Sequence, residues 1–506
     1  MLIKKTKKTF PFTEKIDFKK NKQANIYVNE LGPPSWKILG LDPRLIRRII
    51  TLGLPVIIGM LTQSAINTID LLMVGRLPSE EAISGTSAIF SSMILVWSFG
   101  GFLSAISVGT QVISARRFSE GHFKKAGQVL SNSIAVSLIA SLIFTIVAQL
   151  SSSWLISLTT PSETIRKIAN HYTLIRFFGL ITMAIMASYK SFYDALGRVR
   201  VHMTIAVVMN LTNILFNYFL IFGFTIGSYK FKSLGVYGAA WGSVIAGYVG
   251  VVTIIIWSLR LKDRICYNVY CIKNLNIKTA LIIAKLSFWS GMATVFLMAG
   301  VGLFNYIVGM VDKTNNSGNI NSSATSIIMH VMMLVFMTCL AFGTATATLV
   351  SQSVGAKKKQ LAKQYCWQSV LLATYVISIF AIIAVIFPEK IMSFFLPTDI
   401  DNSIIKKETI AIALPSFKIA VLFLSPTSAA ALVLTQALYG AGKTRYVMIV
   451  EFILHFFFFV PLTYILAIWF NLNLLGCWIS AIAYGVALLC ATSYKFHKGD
   501  WQKTIL

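Results

Sequence analysis

Asp70 is the only acidic residue in the apolar run Leu54–Leu77, LPVIIGMLTQSAINTIDLLMVGRL. A charge at membrane depth costs several kcal/mol, so such a residue marks a functional site by default. Gln63 and Asn67 precede it by seven and three residues, which places all three on one helix face. In MNLTNILFNYFLIFG, Asn210, Asn213 and Asn217 recur at i, i+3 and i+7 and line one face of a later apolar run. Ser243, in GVYGAAWGSVIAG, adds a hydroxyl about one turn deep. One carboxylate, several amide oxygens and a hydroxyl form an oxygen set suited to a hard cation such as Na⁺. The same set would let Asp70 take up a proton. Interhelical hydrogen bonding alone is the bland alternative.

Other ionisable residues lie in apolar runs. Glu451 and His455 are one turn apart in VMIVEFILHFFFFVPL and can pair as a structural couple or form a second proton site. Lys418 would discourage cationic substrates or pair with Glu451. Lys190 and Asp194 are spaced for a structural pair, and Arg176 either lines a path or snorkels. His330 is expected to be satisfied locally.

The elements that must position these groups are membrane helices. Of 506 residues, 56% are hydrophobic and 12% charged, about half the charge of a soluble domain; mean hydropathy is +0.72. Apolar runs long enough to cross a bilayer recur throughout. Twelve are expected, near 45–76, 82–114, 126–151, 165–195, 201–222, 237–259, 283–311, 322–352, 364–387, 408–438, 446–468 and 473–494. The fold class is therefore all-α and polytopic, with a basic N-terminal tail 1–44, a first lobe 45–259, an inter-lobe loop 260–282, a second lobe 283–494 and a C-terminal tail 495–506. Of the 45 Lys and Arg, 33 fall on the side of the termini, 9 on the other side and 3 within spans. Positive charge is retained inside, so both termini should be cytoplasmic in a multi-pass prokaryotic inner membrane. The net charge of +27 then faces anionic lipid rather than nucleic acid, which is not an expected partner. The six cysteines show no zinc spacing, and no metal or cofactor is expected beyond a coupling Na⁺ or H⁺. A monomer is expected.

The chain repeats itself. Met73-Val74-Gly75, Gly109-Thr110 and Gly121 match Ile307-Val308-Gly309, Gly343-Thr344 and Gly355 at one constant offset of 234. Ala195–Arg200 resembles Gly440–Arg445 at an offset of 245. Two six-helix halves in the same orientation follow, a transporter architecture. In this register Asp70 corresponds to Phe304, so the ion site belongs inside the first half.

These motifs resemble the MATE (multidrug and toxic compound extrusion) family, in its prokaryotic NorM-like and DinF-like members. The likeness rests on Pro55, Gln63–Leu77 ending D-x-x-M-V-G-R-L, Asn213–Gly223, Gly235–Ser243, LVSQSVGAKK (Leu349–Lys358) and YGAGKTR (Tyr439–Arg445), and spans about 45–495. It implies two six-helix lobes and export driven by inward Na⁺ or H⁺. It also implies a first-lobe cation site on Asp70, Asn213, Asn217 and Ser243. Asn217 stands where some members have Asp, and Ser243 where Thr is usual. The seventh span lacks the acid that NorM-like members often carry, and Ser428 falls near their tenth-helix Asp. A second-lobe cation site of that kind is therefore not expected.

The expected function is a cation-coupled antiporter that exports organic, cationic or amphipathic small molecules by alternating access. A lipid-linked saccharide flippase of the same superfamily is the alternative, but it would want more than Arg176 and Lys418 in its cavity. No Walker A, H-E-x-x-H or G-x-S-x-G arrangement points to an enzyme.

Overall fold

A computed structural model describes residues 40–159, 163–226, 229–314, 320–394 and 403–503. The first lobe contains α1 (Pro43–Val74), α2 (Ser79–Ser104) continued by α3 (Ile106–Ser119), and α4 (Phe123–Thr159). It is completed by α5 (Glu163–Phe177) with α6 (Leu180–Ala195), α7 (Arg200–Phe222) and α8 (Val236–Ser258). Helix α9 (Leu261–Tyr267) lies in the connection. The second lobe contains α10 (Ile277–Thr314), α11 (Ile320–Gly355), α12 (Lys359–Ile386), α13 (Pro388–Phe394), and α14 (Ser403–Ile419) with α15 (Ser425–Gly440). The eleventh span is α16 (Thr444–Ile453) and α17 (Val460–Tyr464), and the last is α18 (Asn473–Lys498).

Among the described residues, eleven helices are long and apolar enough to cross a membrane, and the pair α5–α6, bent by 42°, makes a twelfth. Helices dominate because hydrocarbon offers no partner to an unpaired backbone group. Three π-helical turns interrupt the second lobe, at Ala420–Leu424, Leu454–Phe459 and Ile465–Trp469. A departure from the all-α expectation is a hairpin of β1 (Phe224–Ile226) and β2 (Tyr229–Phe231) between α7 and α8. Its Phe224 and Phe231 rings stack at 5.2 Å.

Three of the repeated glycines, Gly109, Gly343 and Gly355, sit where helices meet. A Cβ on Gly109 would lie 2.8 Å from the Ile283 carbonyl oxygen, and one on Gly355 2.8 Å from the Arg116 backbone. The halves are also joined by hydrogen bonds near the predicted inner end. Gln111 Nε2 donates to the Thr344 carbonyl (2.9 Å) and to Thr348 Oγ1 (2.7 Å). Arg116 donates to the Ala441 carbonyl (3.0 Å), and Gln352 to the Ala195 carbonyl (2.8 Å). Beside them Leu45, Ile49, Leu52 and Val56, one helix stripe of α1, pack in the same core as Phe342, Ala345 and Leu349 of α11. This end of the interface is closed.

The inter-lobe segment is docked on the first lobe. Arg198 pairs with Asp263 and stands over the Tyr267 ring. Asn132 donates to the Asn274 carbonyl (2.9 Å) and accepts from the Asn276 amide (2.8 Å). A Cβ on Gly127 would overlap the Tyr267 carbonyl oxygen, so only glycine admits this strand of chain. Gly127→Val should undock the segment at a cost of about 1–3 kcal/mol. Limited trypsin digestion at its Lys and Arg residues should then accelerate by roughly tenfold while the spans stay intact. An unchanged digestion rate would show that the segment is not held there.

Candidate cation site

Asp70 lies one turn before the end of α1 and is 6% exposed. Both its oxygens accept hydrogen bonds from other helices. Asn217 Nδ2 of α7 donates to Oδ1 at 2.5 Å, and Ser243 Oγ of α8 donates to Oδ2 at 3.1 Å. Asn213 closes the ring: its Nδ2 donates to Ser243 Oγ at 3.1 Å, and its Oδ1 accepts from Asn217 Nδ2 at 3.3 Å. Four residues from three helices thus share one hydrogen-bonded cluster around a carboxylate. Asn213 and Asn217 are fully buried, which a membrane protein tolerates only for satisfied amides.

One atom breaks the pattern. Asn217 Oδ1 is buried and has no hydrogen-bond partner among the described residues. It lies against Gly242, where a Cβ would overlap it. Nearby Gly238 brings α8 onto the backbone of α7, with a Cβ position 2.6 Å from the Leu220 carbonyl oxygen. These two glycines, which the spacing of polar residues alone does not single out, set the distance between Ser243 and the amide ladder.

Arg176 of α5 acts electrostatically on Asp70 and on the buried Tyr172, although it makes no direct ion pair with Asp70. Of the other expected participants, Asn210 is half-buried and makes no hydrogen bond to the ring. The side chains of Gln63 and Asn67 lie outside the described residues. Lys418 is exposed and does not pair with Glu451, because it sits on the outward stripe of α14. Asp194 pairs with His202 Nδ1 at 3.0 Å rather than with Lys190, since α7 brings the imidazole against its carboxylate. His330 is satisfied by the Ser326 carbonyl at 2.7 Å. Glu451 and His455 do meet, at 3.3 Å, in the second lobe.

The repeat explains why the second lobe lacks the same cluster. Gly238 closes on Leu220 as Gly476 closes on Leu466. Carried along the helices, that register sets Asn213 against Phe459 and Asn217 against Thr463. Asp70 corresponds to Phe304, which stacks on Phe459 at 5.5 Å and meets Trp478 edge-on. Where the first lobe gathers oxygen, the second gathers aromatic rings. Thr463 still bonds Ser480, at 2.6 Å.

The MatE family model matches residues 55–219 and 292–465, one segment in each lobe. A probable multidrug resistance protein NorM of Bacillus anthracis is 25% identical over 459 residues, covering 90% of this chain and 96% of its own. A MOP superfamily transporter from Pyrococcus furiosus superposes with a TM-score of 0.79 at 17% identity, over 91% of this chain and 97% of its own. An outward-facing multidrug resistance MATE transporter superposes with a TM-score of 0.78 at 18% identity, over 91% of this chain and 97% of its own.

Gly242→Ala tests the geometry. Its methyl would push Asn217 off Asp70 and cost a charge-assisted bond, so gradient-driven transport should slow by about tenfold. Expression and thermal stability of the purified protein should change little. A variant that transports at the wild-type rate would show that the Asn217–Asp70 contact is dispensable.

Proposed function

The chain belongs to the MatE family of membrane transporters, and we propose that it exports cationic or amphipathic organic compounds in exchange for protons carried by Asp70. The observation that carries this reading is the buried carboxylate held by two hydrogen-bond donors. An arriving Na⁺ would need the Asn217 and Ser243 donors turned away from both oxygens. A proton needs only the Asn217 amide to turn. A protonated Asp70 becomes a donor, and a flip of the Asn217 amide would offer it the acceptor, Oδ1, that has no partner among the described residues.

The coupling follows from unequal affinities. Proton and substrate must favour different lobe arrangements, since a ligand shifts an equilibrium only by its differential affinity. The hydrogen bonds from Gln111, Arg116 and Gln352 close the end that positive-charge bias assigns to the cytoplasm. That arrangement would face outward, and breaking these bonds would open the substrate path to the inside. Inward proton movement supplies about 2.3 kcal/mol per charge for each 100 mV of membrane potential.

Proteoliposomes loaded with ethidium test the proposal. An inward ΔpH should drive efflux from vesicles holding the wild-type protein, and an inward Na⁺ gradient at equal pH should not. Asp70→Asn should fall to the leak rate. Undiminished ΔpH-driven efflux in the variant would remove Asp70 from the mechanism. Drive by Na⁺ alone would overturn the choice of ion.

A further inference from the structure

The second lobe buries an acid that the first-lobe site does not use. Glu451 of α16 is 7% exposed, and its Oε2 has one hydrogen-bond donor with an imidazole close by. Tyr484 Oη of α18 donates to it at 2.8 Å, and His455 Nδ1 lies 3.3 Å away. The same Nδ1 is 2.9 Å from the Glu451 backbone carbonyl. Both neighbours are acceptors, so Nδ1 must carry the hydrogen. Glu451 Oε1, by contrast, accepts no bond from any described residue. The imidazole is accommodated by the absence of a side chain on α10: a Cβ on Gly300 would overlap His455 Cδ2. From α15, Tyr439 also lies within electrostatic reach of Glu451. The α10 face contributes Gly300 and Phe296 rather than a charge, the latter through ring contacts with Phe452 and Phe456.

The location ties this cluster to the lobe interface. Tyr439 is followed directly by Gly440 and Ala441, whose carbonyls accept from Ser351 (2.7 Å) and from Arg116 of the other lobe (3.0 Å). Glu451 thus sits on the helix that begins at Thr444, directly after the turn whose Ala441 carbonyl holds the lobes together. Glu451 also lies two turns from Phe459, the ring that occupies the place of the missing second-lobe cluster. It stands nearer the predicted inner end than Asp70 does.

We propose that Glu451 is a second proton-binding site, with Oε1 as the atom that takes the proton, Tyr484 holding Oε2 and His455 standing beside it. Its protonation state biases the closure made by Arg116 on Ala441. The site goes beyond the reading of Asp70 and does not need it, because the two groups lie in different lobes. In its protonation step an O–H bond of a hydronium ion breaks, one forms on Oε1, and water leaves.

Infrared pH-difference spectra of the purified full-length protein test this without any substrate. A carboxylic C=O band should appear on acidification, survive in Asp70→Asn and vanish in Glu451→Gln. Tyr484→Phe keeps the acid and removes one donor, so the band's midpoint should move by roughly half a pH unit or more. In Glu451→Gln the pH dependence of lobe opening should flatten, read from a spin-label pair across the Arg116–Ala441 contact. A band set unchanged in Glu451→Gln would overturn the proposal. So would a wild-type pH response of the spin labels in that variant. Loss of all carboxyl bands in Asp70→Asn alone would overturn it too, whereas failure of the Asp70 reading would leave the Glu451 band in place.

Discussion

The structure turns on one constraint: a carboxylate placed in an apolar bundle must be held without a directly paired charge. Asp70 meets it with donors from two other helices, one on each oxygen. A direct ion pair would lock the group in its charged form, whereas amide and hydroxyl donors leave room for a proton. The surroundings follow from this. The two asparagines must be four residues apart to stack on one face. The sixth span must approach α7 closely enough for Ser243 to reach, and Gly238 and Gly242 provide that approach.

The twofold architecture is preserved while its chemistry is not. Both lobes bring the first, fifth and sixth helices of their half to one place, and a glycine at the same point closes the last two. One lobe fills that place with Asp70, Asn213 and Asn217. The other fills it with the stacked rings of Phe304 and Phe459 and with Trp478. Replacing the acid by apolar rings removes the desolvation cost and makes that centre a packed core. Glu451 is offset inward from that centre, beside residues that touch the first lobe.

Much of this was legible in the sequence because membrane chemistry is strict. Twelve apolar runs gave the span count, and glycine matches at a constant offset gave the repeat. Asp70, Asn213, Asn217 and Ser243 were legible because polar groups on apolar helices must converge on one another. Asn210 shares their face but is two turns from Asn217, about 10 Å along the axis, and face periodicity does not weigh that distance. Spacing proposed Lys190 for Asp194, yet His202 takes the place from a neighbouring helix. Lys418 has no periodic companion to orient it. The bend between α5 and α6 and the π-helical turns left no mark in hydropathy. Tyr484 was out of reach because it meets Glu451 only through tertiary packing.

The central claim is that Asp70 exchanges a proton when substrate binds, and proton counting in weakly buffered detergent tests it most directly. On addition of a saturating lipophilic cation, wild-type protein should release one more proton per chain than Asp70→Asn does, with or without Na⁺. Equal release from the two proteins, or release that appears only when Na⁺ is present, would contradict the account.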